Sequence, residues 1–569
     1  MKTLSWRLTE VDETAAAALA SHAGIRPLTA RILLSRGHGA PDQAARFLTP
    51  KLGQLRPPDA MADLDRALDR LTQALRDGQR VGVFGDYDVD GVTTAAVLTV
   101  ALRAFGATVV PRVASRGGGY GLPPDLVDWF AAQGCRLLVT GDCGTSDFAA
   151  LARARELGID VVVIDHHQVP SGERVAHALI NPHQPEDRFP FKGLASCGIA
   201  FYLMATLRSR LAVTTFDPRE LLDLVALGTI ADLVPLVAEN RILVCAGLRV
   251  LGDRKRPGIR ALMELAQLTE PTIGAEDVSF RLTPRLNAAG RLGDAQLALD
   301  LLLAEDDARA SALAAQLDDV NRERQRIQEQ VWTEALVAAA NWQHAPAIVV
   351  GQQGWHHGVV GIIAARLVDR FAKPVVVVGF DGEVGRGSAR TTGGVNLHET
   401  LTVCGDHLGR YGGHAVAAGV SLNPDQLDGF RTAFLAEVER RIGGREQPAV
   451  MVDGVVDLAE INVSLAEELA RLGPFGAGNG EPMLALRGLT TTETRVVGQK
   501  HLQLSLSCAG ARGEAICFNM AEQDPGRGAA IELLAVADVD TFRGNRRARL
   551  RVKHLVRGHG QAPLIALPS

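Results

Sequence analysis

Between residues 80 and 165, apolar runs of four to six residues alternate with helix-like segments, and three of those runs end in acidic or imidazole side chains. Residues 80–85 have the character of a strand and 91–105 of a small-residue helix. Residues 108–113, 136–140 and 161–164 continue the strand series, with helices expected over 124–133 and 146–157. This alternation is the pattern of a parallel sheet joined by crossover helices. In an open sheet of that kind, ligands bind outside the carboxyl ends of the strands. Those ends carry Asp86-Tyr87-Asp88-Val89-Asp90-Gly91, Asp142, and Asp165-His166-His167. Adjacent strands would therefore pool five carboxylates and two imidazoles in one crevice.

So much negative charge repels itself unless a cation neutralises it. Carboxylate and imidazole donors suit Mn²⁺ or Mg²⁺ better than a metal that prefers thiolates. Asp86, Asp88 and Asp90 alternate, so they share a face of an extended backbone, and Gly91 permits a sharp turn into the helix. A calcium loop is the competing reading; the segment lacks the terminal Glu of an EF-hand and follows a buried strand. Two divalent ions held at such a site would clamp a scissile phosphate and activate a water, giving phosphoester hydrolysis without a covalent intermediate. No serine or cysteine nucleophile is needed, and Cys143, beside Asp142, is read as a buried small residue.

The rest of the chain sets the frame. Its 569 residues imply several domains. A net charge of −5 argues against a protein that coats nucleic acid electrostatically, so such binding must come from local basic patches. Seven scattered Cys without a CxxC pair suggest reduced thiols, and no run approaches the length of a membrane span. The expectation is a cytoplasmic, monomeric protein with no membrane association. Residues 1–75 are expected to be a helical region and 76–270 the sheet domain, with the helix over 221–230 delivering Asp232 at its end. Residues 271–345 hold a basic segment and a long amphipathic connecting helix, 346–447 a second α/β domain, and 448–569 short strands with turns. In the last region Arg547, Arg549, Arg551 and Lys553 alternate with apolar residues, within a stretch (541–557) of seven cations and no acid. Period two puts the four cations on one face, read as a phosphate-facing strand in preference to a solvated edge.

The order and spacing of further motifs complete the picture: Gly141-Asp142-Cys143-Gly144, Leu227-Gly228-Thr229-Ile230-Ala231-Asp232, Pro284-Arg285-Leu286-Asn287-Ala288-Ala289-Gly290-Arg291, Asn321-Arg322-Glu323-Arg324-Gln325, Gly385-Arg386-Gly387-Ser388-Ala389-Arg390, Gly412-Gly413-His414 and Gly473-Pro474-Phe475-Gly476. Over nearly its whole length the chain resembles the DHH phosphoesterase superfamily, and within it the RecJ family of single-stranded-DNA exonucleases. The resemblance implies an α/β fold: a parallel-sheet DHH domain, a long connecting helix, a smaller DHH-associated α/β domain and a C-terminal OB-fold barrel. It implies a 5′→3′ exonuclease that hydrolyses single-stranded DNA to mononucleotides in repair and recombination, with two divalent cations, Mn²⁺ or Mg²⁺. Asp86, Asp88, Asp90, Asp142, His166 and Asp232 would be metal ligands, with Asp142 bridging. Asp165 and His167 would complete the catalytic set, His167 touching the scissile phosphate.

By the same resemblance Ser388 and Arg390 would hold the 5′-terminal phosphate, Arg285, Asn287 and Arg291 would lie along the strand's path, and His414 would close the cleft. Tyr120, in Gly119-Tyr120-Gly121, and Arg116 before it are the expected contacts in the first domain. A helicase and a single-strand-binding protein are the partners the family implies. Phe84 departs from the pattern, because many members carry a His there. Two other readings stay open: a phosphoesterase acting on short oligonucleotides or polyphosphate, and a non-catalytic scaffold that binds single strands.

Overall fold

The computed structural model describes residues 6–115, 120–170, 172, 175–442, 450–540, 546–558 and 564–566. Arg116 therefore lies outside the described residues, and so does the start of the stretch over 541–557.

Five parallel strands form the first sheet, in the order Val109–Val113, Arg80–Gly85, Cys135–Gly141, Asp160–Ile164, Ala178–Ile180. Their near-continuous apolar sequences fit burial on both faces. One face packs under the helices Leu64–Arg76, Val89–Ala104, Ser196–Arg210 and Leu222–Ala231. The other packs under Pro124–Ala132 and Phe148–Glu156. Phe84 points into this second layer, edge-on to Phe130 at 6.5 Å. At that position the chain supplies a core ring rather than a ligand.

The expected long helix is present as Asp307–Ala340, 34 residues, capped by the Asp306 side chain on the backbone N–H of Arg309. It leads into a second sheet, ordered Arg410–Gly413, Ala417–Leu422, Val384–Arg390, Val375–Asp381, Ile348–Gln353. Only the last two strands of that order run parallel; the other neighbours are antiparallel.

The C-terminal region is a closed five-stranded barrel. Leu484–Val497, His501–Cys508, Ala511–Cys517, Arg547–Arg557 and Ala530–Asp540 pair in turn, and Ala530–Asp540 pairs back onto Leu484–Val497. Closure removes free edges, so Arg547–Arg557 is not an edge strand. The first residues of the chain belong here too. Trp6–Leu8 lies between Val450–Val452 and Leu564–Ala566, parallel to both. Leu19, Ile32, Leu33 and Phe47 share one hydrophobic core with Leu484, Leu502, Leu533 and Leu550. The expected separate N-terminal region is thus, up to about residue 48, part of the barrel's own core. Its apolar helix faces are too small to bury one another, and the barrel covers them. No helix among the described residues is long and apolar enough to cross a membrane.

Candidate metal centre and nucleic-acid cleft

At the carboxyl end of Arg80–Gly85 the backbone turns at once into the helix Val89–Ala104. Asp88 caps that helix, its side chain accepting from the Gly91 N–H at 3.0 Å. Asp90 is buried and accepts from the backbone N–H groups of Ser196 (2.7 Å) and Cys197 (3.0 Å), at the start of Ser196–Arg210. A helix N-terminus favours such a carboxylate. Gly228 allows this packing, because a Cβ there would strike Thr93, Cys197 and Asp90. The same helix, Leu222–Ala231, ends on Asp232.

Asp142 follows Cys135–Gly141 with φ of 63°, a left-handed conformation that Asp tolerates better than most residues. Its Oδ1 accepts from Ser196 Oγ at 3.1 Å and lies 3.2 Å from His166 Nε2. His166 Nε2 is also 3.4 Å from Asp232 Oδ2. Both of these atoms are buried and neither makes a hydrogen bond among the described residues. Three overlapping groups converge: Asp86, Asp88, Asp142; Asp90, His166, Asp232; and Asp142, His166, His167. In each, the ligand atoms lie within 4.8 Å of one another.

Asp165 sits outside these groups. Its Oδ1 accepts from the N–H groups of His166 (2.8 Å) and His167 (3.1 Å) and from His167 Nδ1 (2.7 Å), and its Oδ2 from the Thr145 N–H. Burial works against its ionised form, but the His167 hydrogen bond overcomes this and holds its pKa down at about 2. Asp165 is thus a positioning carboxylate that orients the two histidines. The opposite holds at the converging groups. Burial, then Asp88, Asp90, Asp232 and Asp165, push Asp142 well above the usual carboxylate range. Burial and Asp90 raise Asp232 to about 9. Burial raises Asp90 against the pull of His166, and lowers His166. A set of carboxylates that cannot all ionise together, with buried donor atoms left without hydrogen bonds, fits divalent cations. The donors are oxygen and imidazole nitrogen, as Mn²⁺ and Mg²⁺ prefer. Cys143 and Cys197 are buried thiols pushed well above their ordinary pKa, so neither offers a thiolate.

The acidic wall faces the second sheet across a cleft of about 730 Å³. Tyr87, Asp88, Asp90, Tyr120, His167 and Asp232 line one side; Arg386, Ser388, Arg390, Gly413 and His414 line the other. Asn287 and Arg291 contribute from the helix Thr283–Leu292, where Arg291 donates to the Gly358 carbonyl at 3.1 Å. Tyr120 is 48% exposed overall, but its hydroxyl turns inward and donates to the Asp142 carbonyl at 2.8 Å. Enclosure of that hydroxyl, with Asp165 and Asp142 nearby, raises its pKa and keeps it a donor. Arg390 donates to the Ala389 carbonyl and has no carboxylate within ion-pair distance among the described residues. Gly361 leaves it room: a Cβ there would come within 3.4 Å of Arg390 Nη2.

Five of the expected nucleic-acid contacts are held by carboxylates of this chain. Arg285 pairs with Asp318 at 2.9 Å and donates to the Arg281 carbonyl, which fastens it to the long helix. The four alternating cations of Arg547–Arg557 are all paired: Arg547 with Glu514, Arg549 with Asp538 and Asp540, Arg551 with Glu276 and Glu481, Lys553 with Glu481. The acids come from other strands and segments, so the stretch itself gave no sign of them. Conversely, Arg386 and His357 line the cleft without having been singled out. The signal for His357 was Trp355-His356-His357-Gly358, where His356 caps the helix His357–Phe371.

Three family models match the chain: the DHH family N-terminal domain over residues 80–229, the DHHA1 domain over 343–440 and the RecJ OB domain over 452–554. The single-stranded-DNA-specific exonuclease RecJ of Salmonella typhimurium is 37% identical, over 95% of this chain and 97% of its own length. The chain belongs to the RecJ family of single-stranded-DNA-specific exonucleases. RecJ of Thermus thermophilus in complex with Mn²⁺ superposes with a TM-score of 0.85 at 30% identity, covering 100% of this chain and 82% of that one. The Mg²⁺ complex of the same protein gives 0.79 at 29% identity, covering 98% and 79%. The cleft described above thus lies between the two RecJ family regions, DHH and DHHA1, that flank the long helix.

Proposed function

We propose that this cleft is the hydrolytic centre of a metal-dependent exonuclease that takes single-stranded DNA from its 5′ end. Family membership gives the reaction, and one observation carries its location: carboxylates and imidazoles that cannot all be charged together face Arg386 and Arg390, which have no carboxylate partner among the described residues. The metal ligands in this reading are Asp86, Asp88, Asp90, Asp142, His166 and Asp232, with His167 an additional candidate through its group with Asp142. Bound divalent ions would polarise the scissile phosphate and lower the pKa of the attacking water. The chain's own residues do the rest. Asp142, a member of two of the three groups, would link Asp86 and Asp88 to the histidines. Asp165 keeps His167 turned by its Nδ1, which also lies 3.0 Å from the Tyr120 hydroxyl, against 3.4 Å for Nε2. Ser388 and Arg390 take the terminal phosphate, a guanidinium being suited to bidentate contact with it. Arg386, Arg291, Asn287 and His414 flank its approach.

A substrate read at its 5′ phosphate is cut from that end, and the product is a mononucleotide when the phosphate site and the metal site stand one nucleotide apart. The reading also places the protein in the cytoplasm as a monomer, with a helicase and a single-strand-binding protein as partners in repair and recombination. The domain division it uses is a DHH domain over about 76–270, a connecting region to 345, a DHHA1 domain to 447, and an OB unit that takes in the N-terminal helices.

Asp142→Asn tests the centre, because Asn also tolerates the left-handed backbone. Mn²⁺-dependent release of nucleotides from a 5′-phosphorylated single strand should fall by about three orders of magnitude, the scale of several kcal/mol of lost charge stabilisation. The metal-free protein should melt no lower than the parent, because Asn is neutral where burial and the neighbouring carboxylates already disfavour a charged Asp142. Parental activity in this variant would dismiss the assignment.

A further inference from the structure

Phe280 lies in neither the cleft lining nor a hydrophobic core among the described residues. Phe280 is 76% exposed, more than any other aromatic residue described. It sits in the π-helical turn Val278–Leu282, which runs directly into the helix Thr283–Leu292. Single π turns inside helical runs recur at functional positions. Asn287 and Arg291, which line the cleft, follow Phe280 by seven and eleven residues. Asn287 and Arg291 are one α-helical turn apart on Thr283–Leu292, and Phe280 precedes Asn287 by a rise of about 10 Å along the same helical run.

The cations around Phe280 are committed. Arg281 donates to the carbonyls of Ala266 and Gln267 and pairs with Asp277. Arg285 pairs with Asp318. Arg551, from the barrel, reaches Glu276 at 2.6 Å. This segment therefore joins the cleft to the barrel, and a strand crossing it meets a bare ring among neutralised guanidinium groups. Such a surface offers a handle to bases rather than to phosphates. A base of any identity has a π face, so stacking suits a nuclease without sequence preference.

We propose that Phe280 is a base-stacking platform that grips single-stranded DNA as it passes between the cleft and the barrel. The inference rests on the reading of the cleft as the nuclease centre. The competing use of an exposed ring is contact with another protein.

The test uses the full chain with Mn²⁺ and compares the parent, Phe280→Ala and Phe280→Trp. Substrates are a 5′-phosphorylated trinucleotide, a 20-mer, and 20-mers with one abasic site moved along the strand. Phe280→Ala should raise KM for the 20-mer by roughly 5- to 150-fold, the worth of one stacked base. The trinucleotide should be cut as by the parent, and Phe280→Trp should keep the parental KM. At one abasic position the parent should lose the same factor, and the parent and Phe280→Ala should become alike. An unchanged KM for the 20-mer overturns the proposal. So does an equal rise for the trinucleotide, or an abasic profile identical in both proteins, which would leave the ring to a protein partner. A parent that cuts no single strand removes the cleft reading and this proposal together; a parent that cuts normally with an indifferent Phe280 removes this proposal alone.

Discussion

The strands Val384–Arg390 and Arg547–Arg557 both present arginines along one face, yet the structure surrounds them differently. Arg386 and Arg390 face a cleft and have no carboxylate partner among the described residues. Arg547, Arg549, Arg551 and Lys553 meet Glu514, Asp538, Asp540, Glu276 and Glu481, so four cations stand against five acids. Partly exposed ion pairs stabilise a fold by about 1 kcal/mol or less each, but a phosphate must still displace the acid before the cation counts. The density of positive charge along a strand is thus a poor measure of charge available to a ligand. Availability depends on what the neighbouring strands carry.

Truncation after residue 448 should have the largest effect. If Arg547–Arg557 were a detachable DNA-holding arm, the remainder would stay soluble and would cut short strands as before. The shared core says otherwise. Removing the barrel uncovers Leu19, Ile32, Leu33 and Phe47, and it strips the buried Arg241 of its acceptors on Arg471 and Leu472. The truncated chain should aggregate on expression. Removing residues 1–50 as well should restore solubility, because the exposed partner faces go together. Sedimentation of both forms decides the matter, and a monodisperse 1–448 would restore the arm.

How far the sequence could be read follows the range of the interactions. The first sheet was legible because its strands are buried on both faces and its acids follow them directly, so Asp86, Asp142 and Asp165 could be placed at strand ends from local pattern alone. The junction of Trp6–Leu8 with Val450–Val452 was not, because parallel pairing across more than four hundred residues leaves no local trace. Asp165 could be placed but not given its task, since its hydrogen bonds to His166, His167 and Thr145 depend on the loop geometry at the end of the strand. The pairing of the basic strand was hidden for the converse reason: its own residues alternate cleanly, and the acids that neutralise it sit on Ala511–Cys517, Ala530–Asp540 and two separate segments. The pairing of Arg285 with Asp318 on the long helix was hidden likewise. Arg390's place on the cleft could be read because its Gly-rich surroundings are contiguous in sequence.

Arg390→Ala should have the next largest effect. A hydrogen bond to a charged group is worth about 1.5–3 kcal/mol, so kcat/KM on a 5′-phosphorylated strand should fall by roughly 10- to 150-fold. The loss on a 5′-hydroxyl strand should be several-fold smaller. Burial already pulls the Arg390 pKa down, so its removal should not lower the melting temperature. By contrast Arg549→Ala, which breaks two ion pairs, should leave kcat/KM within about threefold. Equal losses on the two kinds of 5′ end would take the end-reading role from Arg390. A large activity loss in Arg549→Ala would erase the distinction between the two strands.

The smallest effect is also the sharpest test of why the two strands differ. Glu481 accepts from both Arg551 and Lys553, the latter at 3.0 Å. Glu481→Gln keeps its shape and removes its charge, leaving Arg551 held by Glu276 and Lys553 without a carboxylate. If paired acids are all that keeps this face from single-stranded DNA, the variant should bind a 20-mer about two- to fivefold more tightly at low salt. The gain should disappear as salt rises, because it comes from released counterions. The plot of log affinity against log salt should steepen by about 0.7 for each phosphate newly contacted on a single strand, and so by no more than about 1.4 for the two cations. The catalytic rate on a trinucleotide should not change, because Glu481 lies outside the cleft. Unchanged affinity and slope would mean that the strand's path avoids this face even when its charge is exposed. The difference between the two sets of arginines would then lie in position rather than in pairing.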